Sequence, residues 1–147
     1  MKLSSRGRYG TRVLLDIAMH NGEGPVPLRD IARRQQIPLA YLKRLITPLV
    51  GAGVMRSLRG VGGGVLLARL PQQVNLLEVI RLLEGTSPLV ECIDRPEVCE
   101  RSRGCATRDL WTELDRAARQ VLESTTLEDL VERQKIKDKN AGEMYYI

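Results

Sequence analysis

Residues 28–68, LRDIARRQQIPLAYLKRLITPLVGAGVMRSLRGVGGGVLLA, contain two short helical patterns, a tight turn between them, and two apolar runs around a glycine-rich loop. Leu28, Ile31 and Ala32 share one helical face, and Pro27 suits a first turn, where its missing N–H costs nothing. This helix ends near Gln36, and Ile37-Pro38 make the turn. Tyr41, Leu42, Leu45, Ile46 and Leu49 then recur at three- and four-residue spacing, leaving Lys43, Arg44 and Thr47 on the other side. Pro48 lies inside the apolar run, so the pattern predicts a kink or stop there and a reading helix from Leu39 to Thr47. Val54–Leu58 and Val65–Ala68 flank Arg59-Gly60-Val61-Gly62-Gly63-Gly64 as two strands of a hairpin. Helix, turn, basic helix and hairpin, in that order, predict a winged helix-turn-helix, a fold used to read duplex DNA. As candidate DNA contacts the second helix supplies Ala40, Tyr41, Lys43 and Arg44, of which Lys43 and Arg44 lie off the apolar stripe, and the wing supplies Arg59 and Gly60, whose backbone can lie close along a groove.

The charge distribution agrees with that reading. Residues 1–80 hold 12 Lys/Arg against 4 Asp/Glu, a net of +8, and residues 81–147 hold 11 against 14, a net of −3. The cationic half coincides with the helix-turn-helix and wing, where neutralising phosphates releases counterions and contributes affinity. The chain has no Phe and only 3% aromatic residues, which argues against stacking on single-stranded bases. Its 147 residues suffice for one modest core plus a helical extension that needs a partner. No apolar run is long enough to span a bilayer, and MKLSSRGRYG lacks the apolar centre of a signal peptide, so a cytoplasmic protein without membrane attachment is expected.

Outward from this centre, Ser4 or Ser5 caps a first helix, Arg6 to about His20, with Tyr9, Val13, Leu14, Ile17 and Ala18 facing the core. Arg6, Arg8 and Arg12 either meet a neighbouring phosphate or are simply solvated. His20, the single histidine, falls where a helix dipole favours a cation, a capping role rather than a ligand role. After the wing, Pro71 and Asn75 bracket the start of an apolar, buried helix ending at Gly85. Residues 90–105 lack periodicity and contain all three cysteines. From Thr107 to Ser124, Leu110, Trp111, Leu114, Ala117, Ala118, Val121 and Leu122 form one broad stripe. A two-fold operator needs two reading helices, so this stripe is expected to seal a homodimer through Trp111, Leu114, Ala118 and Val121. Thr126 and Asp129 cap a last short helix from Leu127 to about Arg133, and the remainder is a polar, mobile tail in which Tyr145, Tyr146 and Ile147 can dock.

Cys92, Cys99 and Cys105, spaced C-x6-C-x5-C, are poor disulfide material in a cytosolic protein and odd in number. Sulfur ligands suit zinc or an iron–sulfur cluster, and Arg95, Arg101 and Arg103 offset thiolate charge; spacing alone leaves zinc, cluster and free thiols open.

The elements SSRGRYG, VPLRDIARRQQIPLAYLKRL, RSLRGVGGGVLLA, the three-cysteine loop, TRDLW and TLEDLV, in this order, resemble the IscR-type branch of the Rrf family of bacterial winged-helix transcription regulators. The resemblance implies a homodimer on a pseudo-palindromic DNA operator, repressing or activating, with a 2Fe–2S cluster held by Cys92, Cys99, Cys105 and one further residue, and control of iron–sulfur assembly genes. Relatives in the family sense nitric oxide, redox state or cysteine supply. It also implies that Tyr41, Lys43, Arg44 and Arg59 stand at base- and wing-contacting positions. The chain departs from this branch at Arg108, where histidine is the fourth ligand; arginine stays protonated and is a poor donor. Either Asp94, Glu97, Glu100, Asp109, a partner-subunit residue or an exogenous thiol takes its place, or the cluster is absent.

The expected molecule is therefore mainly α with a small β-hairpin wing and a long C-terminal dimerisation helix. Its DNA-binding region spans 1–85, the cluster-binding loop 86–106, the dimerisation and short terminal helices 107–134, and the tail 135–147. No Ser/His/Asp set, phosphate loop or carboxylate pair emerges, so catalysis is not expected. A winged helix can also serve as a protein-interaction module, but the basic helix and wing favour DNA.

Overall fold

The computed structural model describes residues 3–145. Helix α1 (Ser5–Met19) starts at Ser4, whose hydroxyl accepts from the Arg6 N–H, and stops at His20. Helices α2 (Leu28–Gln35) and α3 (Leu39–Gly51) form the helix-turn-helix, β1 (Met55–Leu58) and β2 (Gly64–Leu67) the wing, and α4 (Leu76–Glu84) follows. The strands pair antiparallel with Met55 opposite Leu67 and Leu58 opposite Gly64, and Val26 adds a bridge to Val65. An irregular loop with two 3-10 turns leads to α5 (Ala106–Glu123) and α6 (Leu127–Met144). This is the expected winged helix-turn-helix with a long helix after it.

The apolar positions read from periodicity are the core. Val13, Leu14, Ile31, Leu42, Leu45 and Leu49 are fully or almost fully buried together. Asp16, also buried, clamps α1 to α2 by accepting from Arg34 and from Gln35 (2.7 Å). Burial pushes the Asp16 carboxyl up, but the bonds from Arg34 and Gln35 and the Arg34 charge outweigh it, leaving the group below its ordinary value.

Three expectations need correction. Helix α3 does not stop at Pro48 but runs to Gly51. The apolar face containing Leu45, Ile46 and Leu49 is packed on both sides of the proline, which holds the turn in place. The turn before it starts at Gln36, a non-glycine residue at φ +54°, with the Ile37 N–H reaching back to Ala32. Helix α4 buries Leu76, Val79 and Leu83 but leaves Leu77, Ile80 and Leu82 only half-buried: Leu77 and Ile80 face the groove shared with α5, and Leu82 packs at the margin of the core. Finally, α6 is not a short helix with an irregular tail: it continues through 135–144 as one helix. Its start is fastened by the Thr126–Asp129 capping box and by Leu127 and Val131, which belong to the same core as α1. Tyr145 is exposed, and the docking expected of Tyr146 and Ile147 concerns residues outside those described.

Candidate nucleic-acid interface and cysteine loop

Helix α3 presents Ala40, Lys43, Arg44 and Thr47 to solvent because Leu42, Leu45, Ile46 and Leu49 take the opposite face into the core. Neither Lys43 nor Arg44 has an ion-pair partner among the described residues, so both cations are available to a polyanion. Tyr41 differs: it is half-buried, its hydroxyl lies 3.2 Å from the Ser5 hydroxyl, and its ring meets Tyr9 edge-on at 6.2 Å. Arg59 and Gly60 are exposed at the tip of the wing, whose turn uses Gly60 and Gly62 at φ +93° and +77°. Pro27, Arg29, Lys43, Leu58 and Gly64 line an open groove of about 310 Å³ between α2, α3 and the wing.

Two exposed cations of the helix-turn-helix and wing were not singled out from the sequence. Arg29 stands in the first turn of α2 beside the groove, and Arg56 is exposed on β1. Their signal was alternation around buried neighbours: Arg56 follows the buried Met55 on a strand, so it points away from the core. The arginines of α1 prove more committed than expected. Arg12 donates to the side chain and carbonyl of Gln35, and both Arg8 and Arg12 lie over the Tyr9 ring at 5.6 and 5.5 Å.

The three cysteines share one loop but not one point. Cys99 is exposed, Cys92 and Cys105 are partly buried, and among the described residues no three His, Cys, Asp or Glu side chains stand as a metal-holding group. The Thr107 hydroxyl 3.1 Å from the Cys105 sulfur, together with the Arg108 and Thr107 N–H groups, holds the Cys105 thiol below its ordinary value. Arg108 is turned to the backbone: it donates to the carbonyls of Cys92 (2.7 Å) and Ile93 (3.2 Å), fastening the loop to α5. Ser102, between Cys99 and Cys105, is 4% exposed, and its hydroxyl has no hydrogen-bond partner. Asp94, Glu97, Glu100 and Asp109 are all exposed.

Along α5 no residue is buried. Trp111, Leu114 and Val121 are exposed by 39%, 38% and 65%, and Ala118 is half-buried where α5 borders an apolar groove of about 890 Å³ against α4 and the 85–89 segment. The helix is held at its ends: by Arg108 at the start, and at the finish by Asn75 donating to the Glu123 carbonyl and the Leu76 N–H donating to that of Thr125. No helix of the described residues is long and apolar enough to cross a membrane.

With this arrangement described, comparison with known proteins identifies the lineage. The profile of the Rrf2 family, described as an iron-dependent transcriptional regulator, matches residues 3–133. The chain belongs to the Rrf2 family of transcriptional regulators. It is 43% identical over 141 residues to the protein rrf2 of Nitratidesulfovibrio vulgaris, covering 96% of this chain and 94% of that one. It is 40% identical over 138 residues to the transcriptional regulator IscR of Xenorhabdus nematophila, covering 94% and 84%. The structure of CymR (YrzC), the global cysteine regulator of Bacillus subtilis, superposes with a TM-score of 0.78 at 38% identity over 90% of this chain and 98% of that one. An Rrf2 regulator acts on DNA.

Proposed function

We propose that this Rrf2 regulator is a homodimer whose signal is an iron–sulfur cluster, 2Fe–2S by the resemblance to IscR-type regulators, and that it controls iron–sulfur assembly genes from a pseudo-palindromic operator. The observation that carries the reading is the loop itself: all three cysteines of the chain lie on one exposed or half-exposed segment, outside the core. The donor set fits such a group in kind. Three thiols are the soft ligands a cluster needs, and the buried Ser102 hydroxyl, in the same loop, has no hydrogen-bond partner among the described residues and so has a donor to spare. It is incomplete in number, since Arg108 spends its donors on the Cys92 and Ile93 carbonyls. Cys92, Cys99 and Cys105 would hold the group, which when bound supplies a centre whose occupancy follows iron and sulfide supply. The loop must rearrange for this, because among the described residues no three His, Cys, Asp or Glu side chains stand as a metal-holding group. Arg44 and Lys43 read base edges in the major groove, Ala40 and Tyr41 lie against them, and Arg59 with Gly60 anchors the wing. The α5 stripe, Trp111, Leu114, Ala118 and Val121, seals the dimer and explains why so much apolar surface on it lacks a cover in one subunit.

The test is anaerobic reconstitution of wild type and Cys99→Ala with iron and sulfide. Iron and sulfide analysis, visible absorbance and a DNA titration at one fixed salt concentration follow. Wild type is expected to take up iron and absorb in the visible. Cys99→Ala is expected to remain a colourless, folded dimer with a different DNA affinity from loaded wild type. No incorporated iron, or identical titrations, overturns cluster sensing. A second reading, direct sensing through thiols, is favoured by the exposure of Cys99, and would show as DNA affinity that follows thiol oxidation in iron-free protein.

A further inference from the structure

The last residue of α4, Glu84, is tied to the beginning of the chain. Its Oε1 accepts from the Ser4 N–H (3.1 Å), the Ser4 hydroxyl (2.6 Å) and the Gly7 N–H (2.9 Å). These donors form the first turn of α1, whose amides have no intrahelical partner and whose dipole favours an anion. The approach is close: a Cβ on Gly7 would lie 2.3 Å from that oxygen, and one on Gly10 would lie 2.4 Å from Leu83, so either would push the α4 side chain aside. The neighbouring residue Ser5 reaches the Tyr41 hydroxyl at 3.2 Å, and Tyr9, one turn on, meets the Tyr41 ring edge-on. The residue after Glu84 is Gly85, at φ +92°, where α4 ends and the segment leading to the cysteines begins.

We propose that Glu84 is a positioning residue: from the root of the cysteine loop it sets, through Ser4, Gly7 and Ser5, where Tyr41 stands in the DNA-reading helix. Every link is a hydrogen bond or a packed ring, and the intervening elements are rigid helices in contact, so a shift of α4 carries α1 with it and α1 carries Tyr41. Coupling of this kind requires α1 to take two arrangements against α3 that both sites bias. The loop end of the relay rests on the cluster reading above, whereas the DNA end does not. Electrostatics separates positioning from contact. Glu84 is an anion, so removing it cannot weaken DNA binding by loss of attraction, and affinity for random duplex should hold or rise.

The experiment uses full-length wild type, Glu84→Ala, Glu84→Gln and Ser5→Ala. Each is titrated at one salt concentration with a duplex selected by the wild type from a random library and with a random duplex, cluster-free and after reconstitution. Glu84→Ala and Ser5→Ala are expected to lose about tenfold for the selected duplex, within the usual range of site-to-site coupling, and nothing for the random one. Glu84→Gln, which keeps an oxygen acceptor, is expected to retain most of the discrimination. In reconstituted protein, Glu84→Ala should also narrow the gap between loaded and cluster-free affinity. Discrimination in cluster-free Glu84→Ala equal to wild type, or equal losses on both duplexes, overturns the proposal. Wild type that binds alike with and without cluster sinks the cluster reading instead, and the cluster-free comparison still decides Glu84. Ser5 is exposed, so Ser5→Ala tests the last link without disturbing the core.

Discussion

The winged-helix half of the molecule and helix α5 are both built on apolar stripes of similar regularity, yet they dispose of them differently. In the first, Leu14, Ile31, Leu42, Leu45 and Leu49 meet one another from three helices and lose nearly all contact with water. In the second, Leu110, Trp111, Leu114 and Val121 remain 38% to 65% exposed, since α5 touches its own subunit chiefly at its ends and across an open groove. Apolar surface left in water forgoes about 25 cal/mol per Å², so such a helix carries a standing drive to be covered. A regular stripe thus says that a face will be covered, and the number of neighbours within the subunit says by whom.

The sharpest way to break this contrast is to substitute one leucine from each half. Leu14→Ala should cost roughly 2–5 kcal/mol in denaturant unfolding, because the cavity is enclosed. Leu114→Glu should leave the subunit folded but shift sedimentation to the monomer, since it places a charge in the proposed seam. A Leu114→Glu protein that still sediments as a dimer would remove α5 from the interface.

Next in size is the clamp of the N-terminal half. Asp16→Asn should destabilise by roughly 1.5–3 kcal/mol, as charged hydrogen bonds from Arg34 and Gln35 weaken. The Asp16 carboxyl sits below its ordinary value in the folded state, so the unfolded chain binds its proton first as pH falls. Its contribution is full above the ordinary carboxylate value near ~4 and is lost as pH falls through the folded-state value below it. Wild type should therefore lose Tm on acidification across that window, and Asp16→Asn should lose less.

Arg44→Ala should cost ~1–3 kcal/mol on a selected duplex and relax preference at one position, which titration against single-base variants would read. Equal losses on random DNA would reduce Arg44 to a phosphate contact. The smallest expected effect sharpens the other half: Arg108→His gives the loop a nitrogen donor and frees the carbonyls of Cys92 and Ile93. Visible absorbance should then survive chelator about tenfold longer than in wild type.

The candidate site was unevenly legible. Lys43, Arg44, Arg59 and the three cysteines stood out because residue type and period are local properties. Arg29, Arg56, the Glu84 anchor and the orphaned Ser102 did not, since each depends on which element lies opposite. Tyr41 shows both sides: spacing puts it on the apolar stripe of α3, whereas its half-exposure and its engagement by Ser5 and Tyr9 follow from where α1 crosses.

By itself, the sequence determined the order of elements, the core faces of α1 to α3, the cationic wing and the grouping of cysteines, because helical period, turn residues and charge act over a few residues. Only the tertiary structure decided that α3 runs through Pro48, that α6 returns Leu127 and Val131 to the core of α1, that α5 keeps its stripe in solvent, and that Arg108 grips the loop's carbonyls. These are contacts between residues far apart in the chain. Packing can hold a proline inside a helix, or commit an arginine to a carbonyl, against what local preference alone would choose.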